Sequence, residues 1–381
     1  MFRTSIRHFT RKSPLGFKNT ALIILKMVKK SAKVELMDYF YKLDAELFSP
    51  SRQALSKARE KISFRLFQDF FKKTCELALT GENARAFKGY RLFAVDGTSF
   101  VVGFLEKLQK HFGKSTCVPG KAMCRIGGIV DVLNDCIVDA IVSPYKTGER
   151  ALAMEQINQL KDIANALFLF DRGYWSVDLI ESIIGNGQKF LMRVASNNEK
   201  AALSSFNGSL RHYSFTLPGG EREILVTNIS AEEMTDEELA WLYTKRWGVE
   251  TKYLELKDRL QIDTFSGESA NTVLQDIYST LYISNFVAFV CFEADEMIAE
   301  KMQGKDNKYD QKSNRSICIS VVRSRFIDIC LMEDPGKRDK ALVKLYAEIS
   351  RCVIQVKKSK PRQRKARLSR FPKKRHANSL F

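Results

Sequence analysis

The sequence predicts an α/β fold: a mixed sheet with helices, interrupted by a β-rich insertion and preceded by a small helical domain. Between residues 90 and 194, apolar runs and amphipathic segments follow one another as strand, two-strand hairpin, helix, strand, helix and strand. Residues 20–79 instead repeat apolar side chains at helical spacing. After residue 194, a polar stretch carries two further β-like runs. At 381 residues and 45% hydrophobic content, the chain is long enough for two or three domains.

The N-terminal part is predicted to be helical. Two segments, Thr20–Phe48 and Ser51–Leu79, have the apolar spacing of helices. Pro50 and Ser51 separate them, because proline ends a helix and serine caps the next one. This pattern predicts a helical domain over residues 1–85, whose basic side chains could contact phosphates or form a solvated face.

The first strands of the sheet follow. Tyr90–Phe100 contains an apolar run, and that run ends at Asp96-Gly97. Met123–Val132 and Cys136–Val142 are predicted to be two antiparallel strands, because Leu133-Asn134-Asp135 between them has the composition of a tight turn.

The second half of the sheet alternates helices and strands. Glu149–Leu160 is predicted to be a helix, and Ala166–Phe170 a fully buried strand that ends in Asp171. A helix over Val177–Ile184 and a strand over Lys189–Val194 complete the pattern.

Two aspartates, Asp96 and Asp171, each follow an apolar strand. For either residue alone, a turn or a helix cap is the favoured explanation. Strand ends are also where a sheet presents side chains to a ligand, so we expect the two carboxylates to lie close together.

The stretch Tyr243–Lys257 is predicted to form one helix with two stripes. At about 100° per residue, the polar stripe holds Tyr243, Arg246, Glu250 and Lys257. The apolar stripe beside it consists of Leu242, Val249, Tyr253, Leu256 and Leu260. A surface helix with charge pairs has similar spacings. The tyrosine on the polar stripe and the two upstream aspartates favour a functional site instead.

The spacing Tyr243-x2-Arg246-x3-Glu250-x6-Lys257 resembles the Tyr-Arg-Glu-Lys signature of bacterial insertion-sequence transposases, which use an Asp-Asp-Glu triad. Asp96 and Asp171 stand in matching contexts, and the resemblance covers most of the chain. It implies a ribonuclease-H-like catalytic domain, placed here at residues 86–300. It also implies a β-rich insertion at about 195–236, where the runs Arg211–Leu217 and Arg222–Asn228 lie.

The resemblance implies roles for six residues. Asp96, Asp171 and Glu250 would be catalytic and would bind Mg²⁺ or Mn²⁺, as two ions. Three carboxylates repel one another, and oxygen-rich sites suit these cations. By the same resemblance, the side chains that hold DNA phosphates are Tyr243, Arg246 and Lys257.

The resemblance further implies a transposase that cleaves and joins DNA at the ends of its own element. Its partners would be double-stranded element ends and target DNA, bound by a homodimer on paired ends. Two alternatives stay open: a non-catalytic DNA-binding protein derived from a transposase, and a nuclease of the same fold that cuts without joining. The family's insertion can carry a tryptophan that stacks on a flipped base. None lies between residues 196 and 236, which leaves the route of second-strand cleavage open.

The net charge of +18 lies at the two ends of the chain. Met1–Val34 holds nine lysines and arginines and Ser350–Phe381 holds twelve, and neither segment holds an acid. The remaining residues hold 41 basic side chains against 44 acidic ones. This distribution favours a polyanion partner over solubilising tails. The C-terminal region, residues 301–381, is predicted to be helical and to end in a basic tail.

The eight cysteines form no Cys-x2-Cys pair and the chain has only four histidines, which argues against zinc. We expect a reducing, cytoplasmic and nucleoid-associated location, because the apolar run Ala21–Leu25 is too short for a signal peptide. The longest apolar stretch, Ile277–Phe292, contains polar residues and is predicted to be a buried core helix, with no membrane contact.

Overall fold

The computed structural model describes residues 2–26, 31–43, 49–81, 84–195, 204, 206, 209–216, 220, 222–305 and 309–356. Its N-terminal helices are α1 (Phe17–Lys26), α2 (Ala32–Leu43), α3 (Arg52–Arg59) and α4 (Arg65–Thr80). The two helices predicted for this part are therefore each divided. The second divides because Ile62 is fully buried and forms an isolated β-bridge with Arg3, which requires a turn after α3. The first prediction falls partly on residues 27–30 and 44–48, which lie outside the described residues.

The central sheet has seven strands in the order β3-β2-β1-β4-β5-β7-β6. They are β1 (Arg91–Gly103), β2 (Ala122–Asp131), β3 (Cys136–Pro144), β4 (Ala166–Phe170), β5 (Lys189–Val194), β6 (Arg211–Thr216) and β7 (Arg222–Thr227). β1 pairs antiparallel with β2 and parallel with β4, and β4 pairs parallel with β5. This mixed sheet with helices confirms the predicted fold class.

The helices cover both faces of the sheet. α5 (Glu106–Phe112), which the sequence analysis did not predict, follows β1, and α6 (Glu149–Gln159) and α7 (Val177–Gly185) lie further along the chain. Alternate residues of β1 point to opposite faces, as strand geometry requires. Leu92 and Ala94 pack in the cluster that contains the N-terminal helices, whereas Phe93 and Val95 pack with α6 and α7.

The two β-like runs of the predicted insertion pair with each other as β6 and β7, in antiparallel register from Arg211↔Thr227 to Thr216↔Arg222. β7 also pairs antiparallel with β5, so the hairpin extends the central sheet. The predicted runs continue into residues 217–219 and 221, which lie outside the described residues.

The signature segment forms two helices where the sequence predicted one. α8 (Asp236–Lys245) and α9 (Trp247–Asp258) meet at Arg246. At the junction the amide of Arg246 donates to the Tyr243 carbonyl at 3.1 Å, and that of Val249 donates to the Arg246 carbonyl at 3.2 Å. These bonds reach back three residues instead of four, which tightens the turn and separates the two helices. The predicted apolar stripe is nevertheless buried throughout.

The longest helix is α10 (Ala270–Met302), which contains the predicted core helix. Within the described part of the chain it is the one helix long and apolar enough to cross a membrane, and 72% of its most apolar window is buried inside the protein. Its burial confirms the prediction of a core helix. Arg59 on α3 and Asp276 on α10 form a buried ion pair at 2.9 Å, which fixes the N-terminal helices to it.

The C-terminal region contains α11 (Arg315–Leu331), α12 (Pro335–Ile349) and a small hairpin of β8 (Asp310–Ser313) with β9 (Val353–Val356). The predicted basic tail falls on residues 357–381, which lie outside the described residues. The domain boundaries near residues 85 and 300 stay a prediction.

Candidate active site

Asp96 and Asp171 lie on the two strands at the centre of the sheet. The parallel register of β1 with β4 runs residue for residue from Arg91↔Ala166 to Ala94↔Leu169. Extended by two residues beyond the last of these pairs, the same register would bring Asp96 opposite Asp171, about one interstrand spacing of 4.8 Å away. Both carboxylates also help to raise the pKa of Tyr174, so the fold brings the two residues into one neighbourhood.

Asp96 does not end its strand, and this corrects the sequence-based expectation. β1 continues to Gly103 because β2 pairs with it beyond Asp96, through Asp96↔Gly128 and Thr98↔Ile126. β4 stops at Phe170, so Asp171 does end its strand and is followed by a short 3-10 turn. Asp96 thus lies where β1 loses one neighbour, and its side chain is partly exposed at that step in the sheet.

Tyr243 and Arg246 are buried, with 7% and 4% of their surface exposed. This burial excludes a solvated face for these two residues. The Tyr243 hydroxyl donates to Asp171 Oδ1 at 3.4 Å. Burial raises the pKa of Tyr243, so the phenol stays protonated and remains a donor at neutral pH.

Arg246 connects the helix junction to the third carboxylate. Its Nη2 donates to Glu250 Oε1 at 3.0 Å, and its guanidinium lies 4.8 Å from the centre of the Trp247 ring. Burial opposes the charge on Arg246, but Tyr243, Asp171 and Glu250 outweigh this effect and raise its pKa. The Arg246 Nε is buried and has no hydrogen-bond partner among the described residues, so the guanidinium has donor capacity left over.

Lys257 lies beside the part of β1 that continues past Asp96. Its Nζ donates to Thr98 Oγ1 at 2.7 Å and lies 5.0 Å from the centre of the Phe100 ring. Thr98 is two residues past Asp96 on the same face of β1, so Lys257 lies close to Asp96 along the strand. The structure thus places all six predicted site residues at one end of the β1–β4 pair.

Glu149 is a fourth carboxylate at this site, and the sequence analysis missed it. A Cβ atom on Gly97 would lie 2.8 Å from Glu149 Cδ and 3.0 Å from Oε1, so glycine is what lets this carboxylate approach the strand. Glu149 is also 3.7 Å from Arg125 Nε. Sequence reasoning overlooked it because an acid in the first turn of a helix is common and is stabilised there by the helix dipole.

α9 is held on the sheet by contacts that sequence spacing did not reveal. The Tyr253 hydroxyl donates to the Asp96 carbonyl at 2.7 Å and fills the space above Gly128 that a Cβ would occupy. On the other side of α9, the buried Lys252 pairs with Asp135 at 2.6 Å, and Arg315 pairs with the same aspartate at 2.8 Å. The helix carrying Glu250 is therefore fixed to β1, to the β2–β3 turn and to α11.

The donor set fits a hard cation in its chemistry, because it consists of carboxylate oxygens alone. Among the described residues, however, no three acidic, histidine or cysteine side chains stand close enough together to hold an ion. The Glu250 carboxylate is paired with Arg246. A cation bound by all three residues would require Glu250 to leave Arg246.

Burial raises the pKa of Asp96 to about 6, against the opposing effects of the Gly97 amide and Arg246. Between about pH 4 and pH 6, Asp96 is therefore protonated in the folded protein and ionised in the unfolded chain. The free energy of unfolding falls as the pH rises through this range. Above pH 6 the ionised side chain destabilises the metal-free fold.

We therefore expect Asp96→Asn to raise the melting temperature of the metal-free protein at pH 7 by at least about 2 °C. The difference should disappear near pH 4, where the aspartic acid is neutral. Thermal melting with a chelator at both pH values measures this, with Asp162→Asn on the exposed loop after α6 as the control. Equal melting temperatures for Asp96→Asn and the original protein at pH 7 would contradict the expectation.

Comparison with known proteins adds a second line of observation. A family model for the transposase DDE domain matches residues 87–286. The chain is 22% identical over 142 residues to the putative transposase InsZ of Escherichia coli (strain K12), covering 36% of this chain and 47% of that protein. It is 22% identical over 286 residues to the transposase InsG for insertion sequence element IS4 of the same organism, covering 66% and 62%. The chain thus spans about half to three-fifths of the length of these relatives.

Two solved structures align with the chain at low sequence identity. One is the piggyBac transposase synaptic complex with hairpin DNA, with a TM-score of 0.49, 11% identity and coverage of 89% of this chain and 79% of that one. The other is the Mos1 transposase paired-end complex with left transposon end, with a TM-score of 0.22, 12% identity and coverage of 68% and 81%.

Proposed function

Because this chain belongs to the transposase DDE domain family, we propose that it cleaves DNA strands at the ends of its own insertion element and transfers them to target DNA. The observation that supports this proposal most strongly is the parallel register of β1 with β4. Extended by two residues, it would bring Asp96 opposite Asp171, on the strand to which Tyr253 of the Glu250-bearing helix is bonded. All three side chains are partly exposed and so can be reached by a large substrate.

In this proposal Asp96, Asp171 and Glu250 hold Mg²⁺ or Mn²⁺, as two ions. When bound there, such ions lower the pKa of a water or a 3′ hydroxyl and stabilise charge on the leaving oxygen. The chain itself contributes rigidity. Tyr253 fixes the backbone at Asp96, and the Tyr243 hydroxyl orients the Asp171 carboxylate.

Arg246 has two roles in succession. Without DNA it neutralises Glu250, and its Nε keeps one unused donor. If the buried Arg246 side chain turned outward on DNA binding, a phosphate of the bound strand would satisfy that donor and compete for the guanidinium, since an arginine fork binds phosphate with two parallel hydrogen bonds. The Glu250 carboxylate would then be free to help hold the cation. DNA binding and metal binding at this site would therefore favour each other.

Lys257 holds a second phosphate beside β1, where its contact with Thr98 fixes the ammonium. Tyr243 would donate its hydroxyl to a phosphate of the same strand once DNA is bound, and its single proton would then leave Asp171. We propose that the protein acts in the cytoplasm at the nucleoid, as a homodimer on two paired ends.

The decisive experiment is incubation of the purified protein with the terminal DNA of its flanking element and Mn²⁺. Strand breaks at the element end together with joined products in a target plasmid are expected. Breaks without joined products would favour a nuclease, and bound but intact ends would favour a non-catalytic DNA-binding protein.

The basic C-terminal tail provides a further prediction about DNA binding. Residues 357–381 hold eleven lysines and arginines and no acid. Each phosphate contact on duplex DNA adds about 0.9 to the slope of log affinity against log salt, so a chain ending at residue 356 should show a flatter slope. An unchanged slope would identify the segment as a solvating tail. The N-terminal basic segment cannot be removed in the same way, because α1 buries Ile23 and Ile24 in the core.

A further inference from the structure

Beyond Asp96, β1 leads into residues 104–121, which contain α5 and connect β1 to β2. We name this segment the β1–α5 tip. Leu108 and Phe112 are each only 2% exposed and seat α5 on the sheet. The Gln109 side-chain amide donates to the Phe104 carbonyl at 3.0 Å and to the Gly120 carbonyl at 2.9 Å. The two chain segments that enter and leave α5 are thereby tied together, and the side chains around them have defined positions.

The outer face of this tip is basic. Lys107 and Lys110 are exposed and lie three residues apart, on the same side of α5. Lys114 is also exposed; it follows Gly113, where the helix ends, and forms an isolated β-bridge with Ala122. Leu108 and Phe112 occupy the other side. The tip holds four lysines and a single acid, Glu106. That acid pairs with Lys110 at 2.9 Å in an exposed ion pair, which is worth little against a phosphate.

An aromatic side chain of the tip contacts its fourth lysine. Phe104 is 67% exposed, and the Lys121 ammonium lies 4.8 Å from the centre of its ring. An exposed ring beside several lysines fits a partner that offers phosphates and flat bases or sugars together. An apolar protein partner would require a wider apolar patch, whereas only Leu105, at 40% exposed, adjoins Phe104.

The distance from the catalytic centre defines which DNA could reach the tip. Phe104 follows Asp96 by eight residues along an extended strand, about 26 Å at 3.3 Å per residue. At 3.4 Å per base pair this equals about eight base pairs of duplex. Lys257 is bonded to Thr98, which lies on β1 between Asp96 and Phe104, so a further cation is available to DNA between these two residues.

From this geometry we infer that the β1–α5 tip binds duplex DNA about eight base pairs to one side of the strand-cleavage point. The inference rests on the proposed function, because it takes the scissile phosphate to lie at Asp96. Lysines of the tip contact the phosphates, and Phe104 packs against a sugar or base edge in the groove between them.

The test compares two triple variants with the same spacing. Lys107→Ala/Lys110→Ala/Lys114→Ala removes the tip charges. Lys337→Ala/Lys340→Ala/Lys344→Ala removes three exposed lysines at identical spacing from α12 and serves as the control. Each is titrated with element-end duplexes that stop about 4 or about 14 base pairs beyond the cleavage point, extended on either side in turn.

On the duplex extended over one of the two sides, the tip variant should bind more weakly and its salt slope should fall by up to about 2.7, or about 0.9 for each lost contact. On the short duplexes it should match the original protein, and the control variant should match on all of them. Phe104→Ala keeps every lysine, so it should weaken binding of the same long duplex without changing the salt slope.

Two results would overturn the inference. A tip variant that binds every duplex like the original protein would show that the lysines form only a solvated face, and equal losses in the tip and α12 variants would show a general charge effect. Cleavage of element ends by the original protein in the same samples separates these results from a failure of the proposed function. A protein that neither binds nor cuts these ends would remove both proposals.

Discussion

Replacing any one of Asp96, Asp171 and Glu250 by alanine is expected to reduce strand cleavage by about a thousandfold or more while DNA binding persists. Each change removes one carboxylate from a site that works through charge placement at a reacting phosphate. None of the three side chains belongs to the hydrophobic core, so the fold should be retained. End-cleavage assays with Mn²⁺, beside duplex binding and thermal melting, measure this.

The double variant Asp96→Ala/Asp171→Ala makes the prediction sharper. Groups that act as one unit lose most of their effect with the first replacement, so the double variant should cleave about as slowly as either single one. Glu181→Ala, on the exposed side of α7, is the matched control and should cleave normally. Full cleavage by any one of the three alanine variants would exclude that residue from the site.

The second large effect concerns Arg246. Arg246→Ala should reduce cleavage by about a hundredfold or more, because it removes the fork that positions the scissile phosphate. Metal binding without DNA should not fall, and should become tighter, since Glu250 loses the partner that holds it at 3.0 Å. Arg246→Lys should recover little cleavage, because an ammonium cannot reproduce a bidentate fork.

Calorimetric titration with Mn²⁺ and footprinting of element ends separate these effects. Lys245→Ala is the control: it removes a neighbouring charge that lies over the Trp241 ring, 4.3 Å from its centre. Thermal melting accompanies each variant, because Arg246 is buried. Normal cleavage by Arg246→Ala, or metal binding weakened as much as in Glu250→Ala, would contradict the roles assigned here.

The sequence by itself determined several strands of the central sheet and the resemblance to the transposase family whose model the chain matches. The runs Ala166–Phe170 and Lys189–Val194 are strands in the structure with the same bounds as predicted. Long apolar runs identify buried strands because both of their faces are covered, which is a local property of the chain. The apolar stripe from Leu242 to Leu260 is buried for the same reason: helical periodicity records which side faces the core.

Only the tertiary structure decided how these elements act together. The helix break at Arg246, the burial of that guanidinium against Glu250 and the continuation of β1 to Gly103 all depend on partners distant in sequence. Gly248 packs so closely on Val132 that a Cβ atom would lie 2.8 Å from its Cγ1, and Glu149 approaches Gly97 only because β3 is followed by α6 at this point. Periodicity carries information about a residue's own face, whereas the pairing of charges across the fold is set by which elements pack together.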